Sequence, residues 1–272
     1  MSRDTPVVLI TGCSSGIGRA TAERFCDAGW RVWATARDPT DVTDLADASC
    51  RTAALDVTDE GQIEAVVERA IARDSRIDCV VNNAGFGQAG AIEEIPLDRL
   101  RTQFEVNTFA PVALTQAVLP HMRAAGGGTV VNVSSLLGRV AYPTRGAYAG
   151  SKHALEALSE ALRAEAAGFG VDAVLIEPGA VSTGFEDRLH ETESGLDERG
   201  VYDRLRCLVD RAQRLSERTG MPPERVADTI YRAATAERPK RRYVVGWDAR
   251  FAILADHVIP ARLRDWLYRA LA

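Results

Sequence analysis

Short apolar runs alternate with stretches of helical periodicity through most of the chain, and this alternation restricts the possible folds more than any other feature. The runs are short enough to be buried strands, and the segments between them are long enough for connecting helices. Repeated strand–helix–strand units predict an α/β fold, a doubly wound parallel sheet flanked by helices. The predicted strands are 6–10, 31–36, 52–55, 77–82, 129–134, 171–177 and 242–245.

The same pattern predicts the helices and the division of the chain. Helices are expected at 16–28, from a cap at Thr58, at 97–125 and at 146–167. We expect a single domain over 1–272, with a charged, glycine-interrupted helical lid at 184–225. The segment 249–272 predicts an amphipathic C-terminal helix that packs on its own domain, with a dimer contact or a loose membrane contact as alternatives.

The composition argues against several classes of protein. The chain has 272 residues, 46% of them hydrophobic, which is enough for one sizeable core. A net charge of −5 with scattered basic residues argues against nucleic-acid binding. The cysteines and histidines lack the spacing of metal ligands, so no metal is expected. Unpaired cysteine spacing, the lack of a signal peptide and the lack of an apolar span favour a cytoplasmic protein without stable membrane insertion.

A glycine-rich turn follows the first predicted strand. Gly12 permits a sharp turn, Gly16 lets a pyrophosphate approach the backbone, and Gly18 lets the helix sit close to the sheet. The free N–H groups at the start of the next helix favour a phosphate. The turn therefore predicts a dinucleotide site of the Rossmann type, although a tight turn without a ligand is the alternative. Ser14, Ser15 and Ile17 lie within the turn.

The end of the second strand bears on the choice of cofactor. An acidic residue there would bind the adenosine ribose hydroxyls and select NAD. This chain has Ala36 followed by Arg37, and a guanidinium suits the 2′-phosphate of NADP(H). We therefore expect NADP(H) as cofactor, with two alternatives: NAD(H), or an Arg37 that merely pairs with Asp38.

Tyr148 and Lys152 form the candidate catalytic pair. Their i, i+4 spacing in a helical segment puts both on one side of the helix. A nearby ammonium favours the phenolate of a tyrosine, which makes the tyrosine a better acid and base near neutral pH. Ser134 and Ser135 end the preceding strand, where ligands bind in such sheets, and a serine hydroxyl there can hold a carbonyl or alcohol oxygen.

Other small or amide residues follow the remaining strands. Asn83, Ala84 and Gly85 follow the fourth strand, and the sixth is followed by a second set: Pro178, Gly179, Val181 and Thr183. Asn107 lies in the middle of a predicted helix, where a buried amide needs a partner or a task.

In this order, these motifs resemble the short-chain dehydrogenase/reductase (SDR) family over residues of about 5–185. The resemblance implies that Tyr148 exchanges the proton and that Lys152 binds the nicotinamide ribose. It also implies that Ser135, which lies 13 residues before Tyr148, orients the substrate oxygen, and that Asn107 holds a water in a proton relay. Asp56 and Val57 are implied near the adenine.

The expected cofactor-binding set combines the strand-end residues with those implied by the resemblance. It comprises Gly12, Ser14, Ser15, Gly16, Ile17, Gly18, Arg37, Asp56, Val57, Asn83, Ala84, Gly85, Tyr148, Lys152, Pro178, Gly179, Val181 and Thr183.

The C-terminal region narrows the resemblance to 17β-hydroxysteroid and retinol dehydrogenase-like members, through the run 243–249 and the segment after it. This implies interconversion of a ketone or aldehyde with an alcohol, on a substrate of lipophilic type, although the charged lid residues predict no clear apolar pocket. The resemblance also implies a homodimer or homotetramer. The alternatives are an NADP(H)-sensing protein without turnover and an epimerase or dehydratase relative.

Overall fold

A seven-stranded parallel sheet forms the centre of the molecule, in the order β3-β2-β1-β4-β5-β6-β7. It is seen in a computed structural model that describes residues 5–46, 49–193, 196, 200–217 and 220–271. The fold is the doubly wound α/β sheet predicted from the sequence. The strands are β1 (Val7–Ile10), β2 (Arg31–Ala36), β3 (Cys50–Ala54), β4 (Cys79–Asn82), β5 (Gly128–Val133), β6 (Val171–Pro178) and β7 (Arg242–Val245).

Helices cover both faces of this sheet and extend beyond its last strand. They are α1 (Gly16–Asp27), α2 (Glu60–Asp74), α3 (Leu97–Phe104), α4 (Ala110–Ala125), α5 (Gly146–Ala166), α6 (Phe185–Glu193), α7 (Asp203–Glu217), α8 (Pro223–Ala234), α9 (Trp247–Val258) and α10 (Ala261–Leu271).

Burial on both faces explains why β1 is apolar at every position. Val8 and Ile10 belong to the core under α1 and α8, whereas Val7 and Leu9 belong to the core under α2 and α4. Successive side chains of a strand point to opposite faces, so a strand covered on both sides has no solvent-facing position.

The strand order reverses beside β1, and this reversal creates the place for a ligand. Val8 of β1 pairs with Val32 of β2 on one side and with Cys79 of β4 on the other. The connections after β1 and β4 therefore leave the sheet in opposite directions, and a crevice opens between them at the carboxyl ends of the strands.

Two sequence predictions of local structure are wrong in detail. Thr58 does not cap α2: its hydroxyl donates to Asp56 Oδ1 over 2.7 Å, and Asp59 caps the helix by accepting from the N–H of Gln62 over 3.1 Å. The third strand begins at Cys50 rather than at residue 52, because its pairing with β2 starts at Val32.

The helix expected over 97–125 contains a π-helical turn at Glu105–Phe109, between α3 and α4. Pro111 has no N–H, so it cannot donate to the carbonyl of Asn107 four residues earlier, and the regular α-helical ladder is interrupted here. Such turns are frequent at functional sites. The interruption falls on the buried Asn107.

The C-terminal segment forms two helices, α9 and α10, rather than the single helix expected over 249–272. Pro260 stands between them, where its ring and missing N–H end α9. The inner side of the pair carries buried Ala249. The expected packing on the domain holds for that side only, since the outer side exposes a row of large apolar side chains: Trp247, Phe251, Leu254, Val258, Leu263, Trp266 and Leu267.

The expected lid region 184–225 contains α6, α7 and the start of α8. In the described part of this region strand-like pairing is limited to a single bridge, between Val181 and Met221. Among the described residues, no helix is both long and apolar enough to cross a membrane.

Candidate active site

The turn after β1 has the backbone that its glycines predict. Gly12 and Gly16 have φ values of +71° and +57°, in the left-handed region that favours glycine. A Cβ on Gly18 would overlap the carbonyl oxygen of Gly12 and the amide of Asn83. The glycines thus allow the turn itself and the close approach of α1 to it.

Thr11 and Asn83 hold this turn against the loop that follows β4. The Thr11 hydroxyl oxygen accepts from the N–H groups of Asn83 and Ala84, each over 3.0 Å. The Asn83 amide donates to the carbonyls of Thr11 and Gly12 over 2.9 and 3.1 Å. The sequence analysis gave Thr11 no role, although its place at the start of the motif was a usable signal.

A cleft of about 730 Å³ lies at the carboxyl ends of β1, β4, β5 and β6. Gly16 leaves room in its wall, since a Cβ there would lie 3.0 Å from Thr183 Cγ2. Most of the expected site residues line this cleft: Gly12, Ser14, Ser15, Gly16, Ile17, Arg37, Asn83, Ala84, Gly85, Ser135, Tyr148, Lys152, Pro178, Gly179, Val181 and Thr183.

Four expected residues lie outside the cleft lining: Gly18, Asp56, Val57 and Asn107. The Asp56 carboxylate accepts from the N–H and the hydroxyl of Thr58 over 2.9 and 2.7 Å. These two bonds, with a smaller contribution from Arg37, hold the pKa of Asp56 below its usual range. Val57 lines a small gap with Thr11 and other residues beneath the turn after β1.

Arg37 lines the cleft, as do Ser14 and Ser15. The expected alternative, an ion pair with Asp38, is not seen in the described ranges. Asp38 instead accepts from the N–H and the hydroxyl of Thr40 over 2.9 and 2.6 Å, and so caps the following 3₁₀ turn. Arg37 thus borders the cleft without this ion pair, and its charge acts on the Asp56 carboxylate.

Tyr148 and Lys152 lie one turn apart on the buried side of α5, with 7% and 5% of their surfaces exposed. Lys152 Nζ is 5.9 Å from the centre of the Tyr148 ring and donates to the carbonyl of Val133, the last residue of β5, over 2.8 Å. This bond ties the ammonium of α5 to the end of β5.

Ser135 follows β5 and lines the same cleft as this pair. Its hydroxyl oxygen accepts from the N–H of Leu137 over 3.1 Å, which leaves its own proton to donate. The neighbouring Ser134 also lines the cleft but is more deeply buried, with 4% of its surface exposed.

Asn107 is fully buried behind the cleft, in the π-helical turn. Its amide donates to the Phe86 carbonyl over 2.9 Å and to the Ser151 hydroxyl over 3.1 Å, and its oxygen accepts from the Phe86 N–H over 3.1 Å. Both N–H groups and one lone pair are thus used by the protein. A water at Asn107 would have to bond the second lone pair of Oδ1 or the main-chain carbonyl.

Gly85 separates Asn107 from Lys152. A Cβ at this position would lie 3.1 Å from Asn107 Oδ1 and 3.7 Å from Lys152 Nζ, so both polar atoms border the same small space. Burial lowers the pKa of Lys152 to about 8, while the negative charge of Glu156 opposes this shift. The ammonium is therefore close to its titration point near neutral pH.

Side chains of α6 and α7 form an apolar wall of the cleft that the sequence did not predict. The Phe185 ring lies 5.4 Å from the Tyr148 ring, centre to centre. Leu189 and Leu208 also line the cleft, so the expectation of no clear apolar pocket is wrong. The four-residue spacing of Phe185 and Leu189 was a signal for a shared inner face, but the charged residues around them obscured it.

The sheet, the phosphate-type turn and the tyrosine–lysine pair in one cleft define a nucleotide-binding oxidoreductase. A family model described as short chain dehydrogenase matches residues 6–194. The chain belongs to the short-chain dehydrogenase/reductase family.

Similar curated proteins cover nearly the whole chain. The chain is 35% identical over 265 residues to the uncharacterized oxidoreductase YusZ of Bacillus subtilis, with 93% of this chain and 94% of that protein covered. It is 34% identical over 269 residues to an NADPH-dependent 3-dehydrocapnine reductase of Ornithobacterium rhinotracheale, covering 96% and 95%. It is 34% identical over 278 residues to retinol dehydrogenase 5 of Mus musculus, covering 95% and 86%.

Solved structures show the same fold. A short-chain dehydrogenase from Streptomyces avermitilis is 35% identical, with a TM-score of 0.83 and coverage of 99% of this chain and 98% of that one. A short-chain dehydrogenase/reductase from Burkholderia phymatum in complex with NAD is 25% identical, with a TM-score of 0.80 and coverage of 98% and 96%.

Proposed function

We propose that this protein is an NADP(H)-dependent oxidoreductase that interconverts a ketone or aldehyde with an alcohol. The observation that carries the proposal is the placing of Tyr148, Lys152 and Ser135 in the same cleft as the glycine turn after β1. A cofactor and a substrate bound in that cleft would meet at Tyr148. The bound nicotinamide would supply or accept the hydride.

The side chains have separate tasks in this proposal. Ser135 donates a hydrogen bond from its hydroxyl to the substrate oxygen and so orients the substrate. Tyr148 gives a proton to that oxygen during reduction and takes it back during oxidation. Lys152, held by the Val133 carbonyl, stabilises the phenolate by its charge and binds the nicotinamide ribose.

Asn107 has a positioning task as well as the expected relay. Its amide ties the loop at Phe86 to α5 through Ser151. A water at its remaining acceptors, beside Gly85, would connect the Lys152 side of the site to the proton relay.

The cofactor-binding residues divide between two parts of the cleft. The turn from Gly12 to Gly18 would receive the pyrophosphate, with Pro178, Gly179, Val181 and Thr183 on the opposite wall. Arg37, with Ser14 and Ser15, would receive the 2′-phosphate of NADP(H), and Asp56 and Val57 stay proposed near the adenine. The relative named as an NADPH-dependent reductase supports NADP(H), and the NAD-bound structure makes NAD(H) the alternative.

A lipophilic substrate is favoured by the wall that faces Tyr148. Phe185, Leu189 and Leu208 come from the proposed lid, and Ala252 and Tyr268 come from α9 and α10. Apolar side chains around a few polar groups suit an apolar carbonyl compound. The similarity to a protein named for retinol agrees with this class.

We also propose a homodimer or homotetramer in the cytoplasm. Phe109 and Leu158, on the helices that carry Asn107 and Tyr148, have 52% and 44% of their surfaces exposed and could meet a second copy. All five cysteines lie in the described ranges and none forms a disulfide there, which suits a reducing compartment.

Replacement of Tyr148 by phenylalanine tests the proposed chemistry. Only the hydroxyl is lost, so NADPH binding, measured by nicotinamide fluorescence, should change less than about threefold. Turnover of a ketone, aldehyde, steroid or retinoid found by screening should fall by at least ~10³-fold, because the proton donor is gone. Unchanged turnover in this variant would contradict the role assigned to Tyr148. If the unaltered protein binds NADPH but turns over no carbonyl compound, the alternative of an NADP(H)-sensing protein without turnover would be favoured.

A further inference from the structure

Two buried carboxylates lie behind the proposed catalytic lysine. Glu156 is one helical turn beyond Lys152 in α5 and has 5% of its surface exposed. Glu177, near the end of β6, is fully buried. Neither residue lines the cleft, so neither is explained by contact with a ligand.

Arg242 of β7 connects the two carboxylates. Its Nη2 lies 2.9 Å from Glu156 Oε2, and its Nε lies 2.8 Å from Glu177 Oε1. It also pairs with the more exposed Glu160 on the surface of α5. Arg139 approaches Glu177 Oε1 from the other side, at 3.4 Å, but is itself 38% exposed.

This pairing leaves one oxygen of each buried carboxylate without a hydrogen bond. The oxygens Glu156 Oε1 and Glu177 Oε2 receive no hydrogen bond from any described residue. Burial and the neighbouring Glu156 raise the pKa of Glu177. A buried carboxylate oxygen without a hydrogen bond is costly, and a nearby positive charge offsets part of that cost. The ammonium of Lys152 is such a charge, since Lys152 is also buried and lies one helical turn before Glu156 in α5.

Lys152 needs such support. It is buried, and one carbonyl oxygen, that of Val133, is the hydrogen-bond acceptor it contacts among the described residues. The negative charge of Glu156 acts on it against the effect of burial. Tyr148 and Glu156 of α5 are the titratable groups that act on Lys152 directly. The charged groups that face Glu156 come from the adjoining elements: Arg242 of β7 contacts it and also contacts Glu160 of α5 and Glu177 of β6, and Arg139 after β5 contacts Glu177.

We propose that Glu156 is a positioning residue that keeps Lys152 in its ammonium form, and that Arg242 limits this effect by neutralising part of the Glu156 charge. The strand farthest from the phosphate turn, β7, thereby influences the proposed catalytic helix without contacting the reacting atoms. The importance of this for turnover rests on the proposed function, but the effect on Lys152 does not.

The composition of the chain allows a direct test. It contains only two lysines, Lys152 and Lys240. Substitution Lys240→Arg leaves one, and nuclear magnetic resonance of protein labelled with ¹³C at lysine Cε then follows Lys152 alone through a pH titration. In this background Glu156→Gln should lower the pKa of Lys152 by ~0.5–1 unit, because an opposite charge is removed at almost constant volume.

For two further variants we expect, respectively, a raised and an almost unchanged pKa of Lys152. Arg242→Gln leaves the Glu156 charge less neutralised and should raise the pKa of Lys152. Glu160→Gln is the matched control, since this residue shares the partner Arg242 but is 45% exposed, and it should move the pKa by less than ~0.2 unit. If Glu156→Gln does not fold, as judged by circular dichroism, Arg242→Gln together with the charge-retaining Glu156→Asp still decides the question.

The outcomes separate this inference from the proposed function. An unchanged or raised Lys152 pKa in Glu156→Gln, or a lowered one in Arg242→Gln, would overturn the inference. A lowered pKa in Glu156→Gln, with the alkaline limb of kcat/KM moving in parallel, would support both. A lowered pKa without any change of the kcat/KM profile would support the inference and count against the proposed role of Lys152 in turnover.

Discussion

At the residue scale, the charge on Lys152 destabilises the fold that holds it. Burial lowers its pKa from 10.5 to about 8, so the folded state binds the proton more weakly than the unfolded state does. For such a group the stabilising contribution is fully present above the unfolded pKa and is lost as pH falls through the folded value. The free enzyme therefore carries an unfavourable contribution below about pH 8.

Replacement of Lys152 by methionine should accordingly stabilise the protein while abolishing turnover. At pH 7 we expect the free energy of unfolding to rise by ~1–2 kcal/mol, less than the full shift implies because the bond to the Val133 carbonyl is lost as well. The gain should shrink as pH rises from about 8 to 10.5. Urea unfolding of both proteins at pH 7 and pH 9.5 measures this; a gain that grows with pH would contradict it.

Arg37 is the residue on which the cofactor preference depends. Arg37→Asp should raise the NADPH dissociation constant by at least ~30-fold, because a charged donor pair for a phosphate becomes a repelling carboxylate. The NADH dissociation constant should change by less than about threefold. Fluorescence titration with both nucleotides gives the ratio, and equal changes in the two constants would rule out the proposed contact with the 2′-phosphate.

At the element scale, the junction of β1 with α1 depends on one small residue. A side chain on Gly18 would overlap the Gly12 carbonyl and the Asn83 amide, and neither can move without breaking the bonds between the turn and the β4 loop. α1 would have to move away from the sheet. The resulting strain falls on the helix N-terminus that would face the pyrophosphate.

Gly18→Ala should therefore destabilise the protein by ~2 kcal/mol or more and weaken NADPH binding at least tenfold. Gly168→Ala is the matched control, because a Cβ there has nothing within 4 Å and the residue does not have a positive φ. Thermal unfolding and NADPH titration of both variants are the measurements. Equal behaviour of the two would show that close packing at Gly18 is unimportant.

At the scale of the whole molecule, the cleft is closed by parts of the chain that are far apart in sequence. The turn after β1 and Tyr268 of α10 both line it, and we propose that Tyr268 lies on the substrate side. The proposed cofactor and substrate sites can therefore be weakened separately.

Tyr268→Ala should raise KM for an apolar substrate about tenfold and leave the NADPH dissociation constant within twofold. Trp266→Ala is the control on the same helix: Trp266 is 61% exposed and lies outside the cleft lining. Steady-state kinetics with both variants distinguish the two positions. A larger effect from Trp266 would indicate that the exposed outer side of α9 and α10 matters for substrate access.

Local sequence patterns were enough to predict the succession of strands and helices along the chain, and the glycine turn after the first strand. Most of the residues expected to bind the cofactor line the cleft. These depend on local periodicity, on backbone freedom at Gly12 and Gly16, and on the rule that parallel strands end at one edge. The resemblance to a family selected Ser135, rather than Ser134, as the residue expected to orient the substrate oxygen. Such features can be predicted from the sequence because each depends on a few neighbouring residues.

Tertiary structure alone decided what lies behind and around that site. The engagement of Asn107 by Phe86 and Ser151 and the wall formed by Phe185 depend on which distant segments meet. The cluster of Glu156, Glu177 and Arg242 joins α5, β6 and β7 across 86 positions of sequence. Spacing along a chain carries no information about such meetings, because they follow from packing of the whole core.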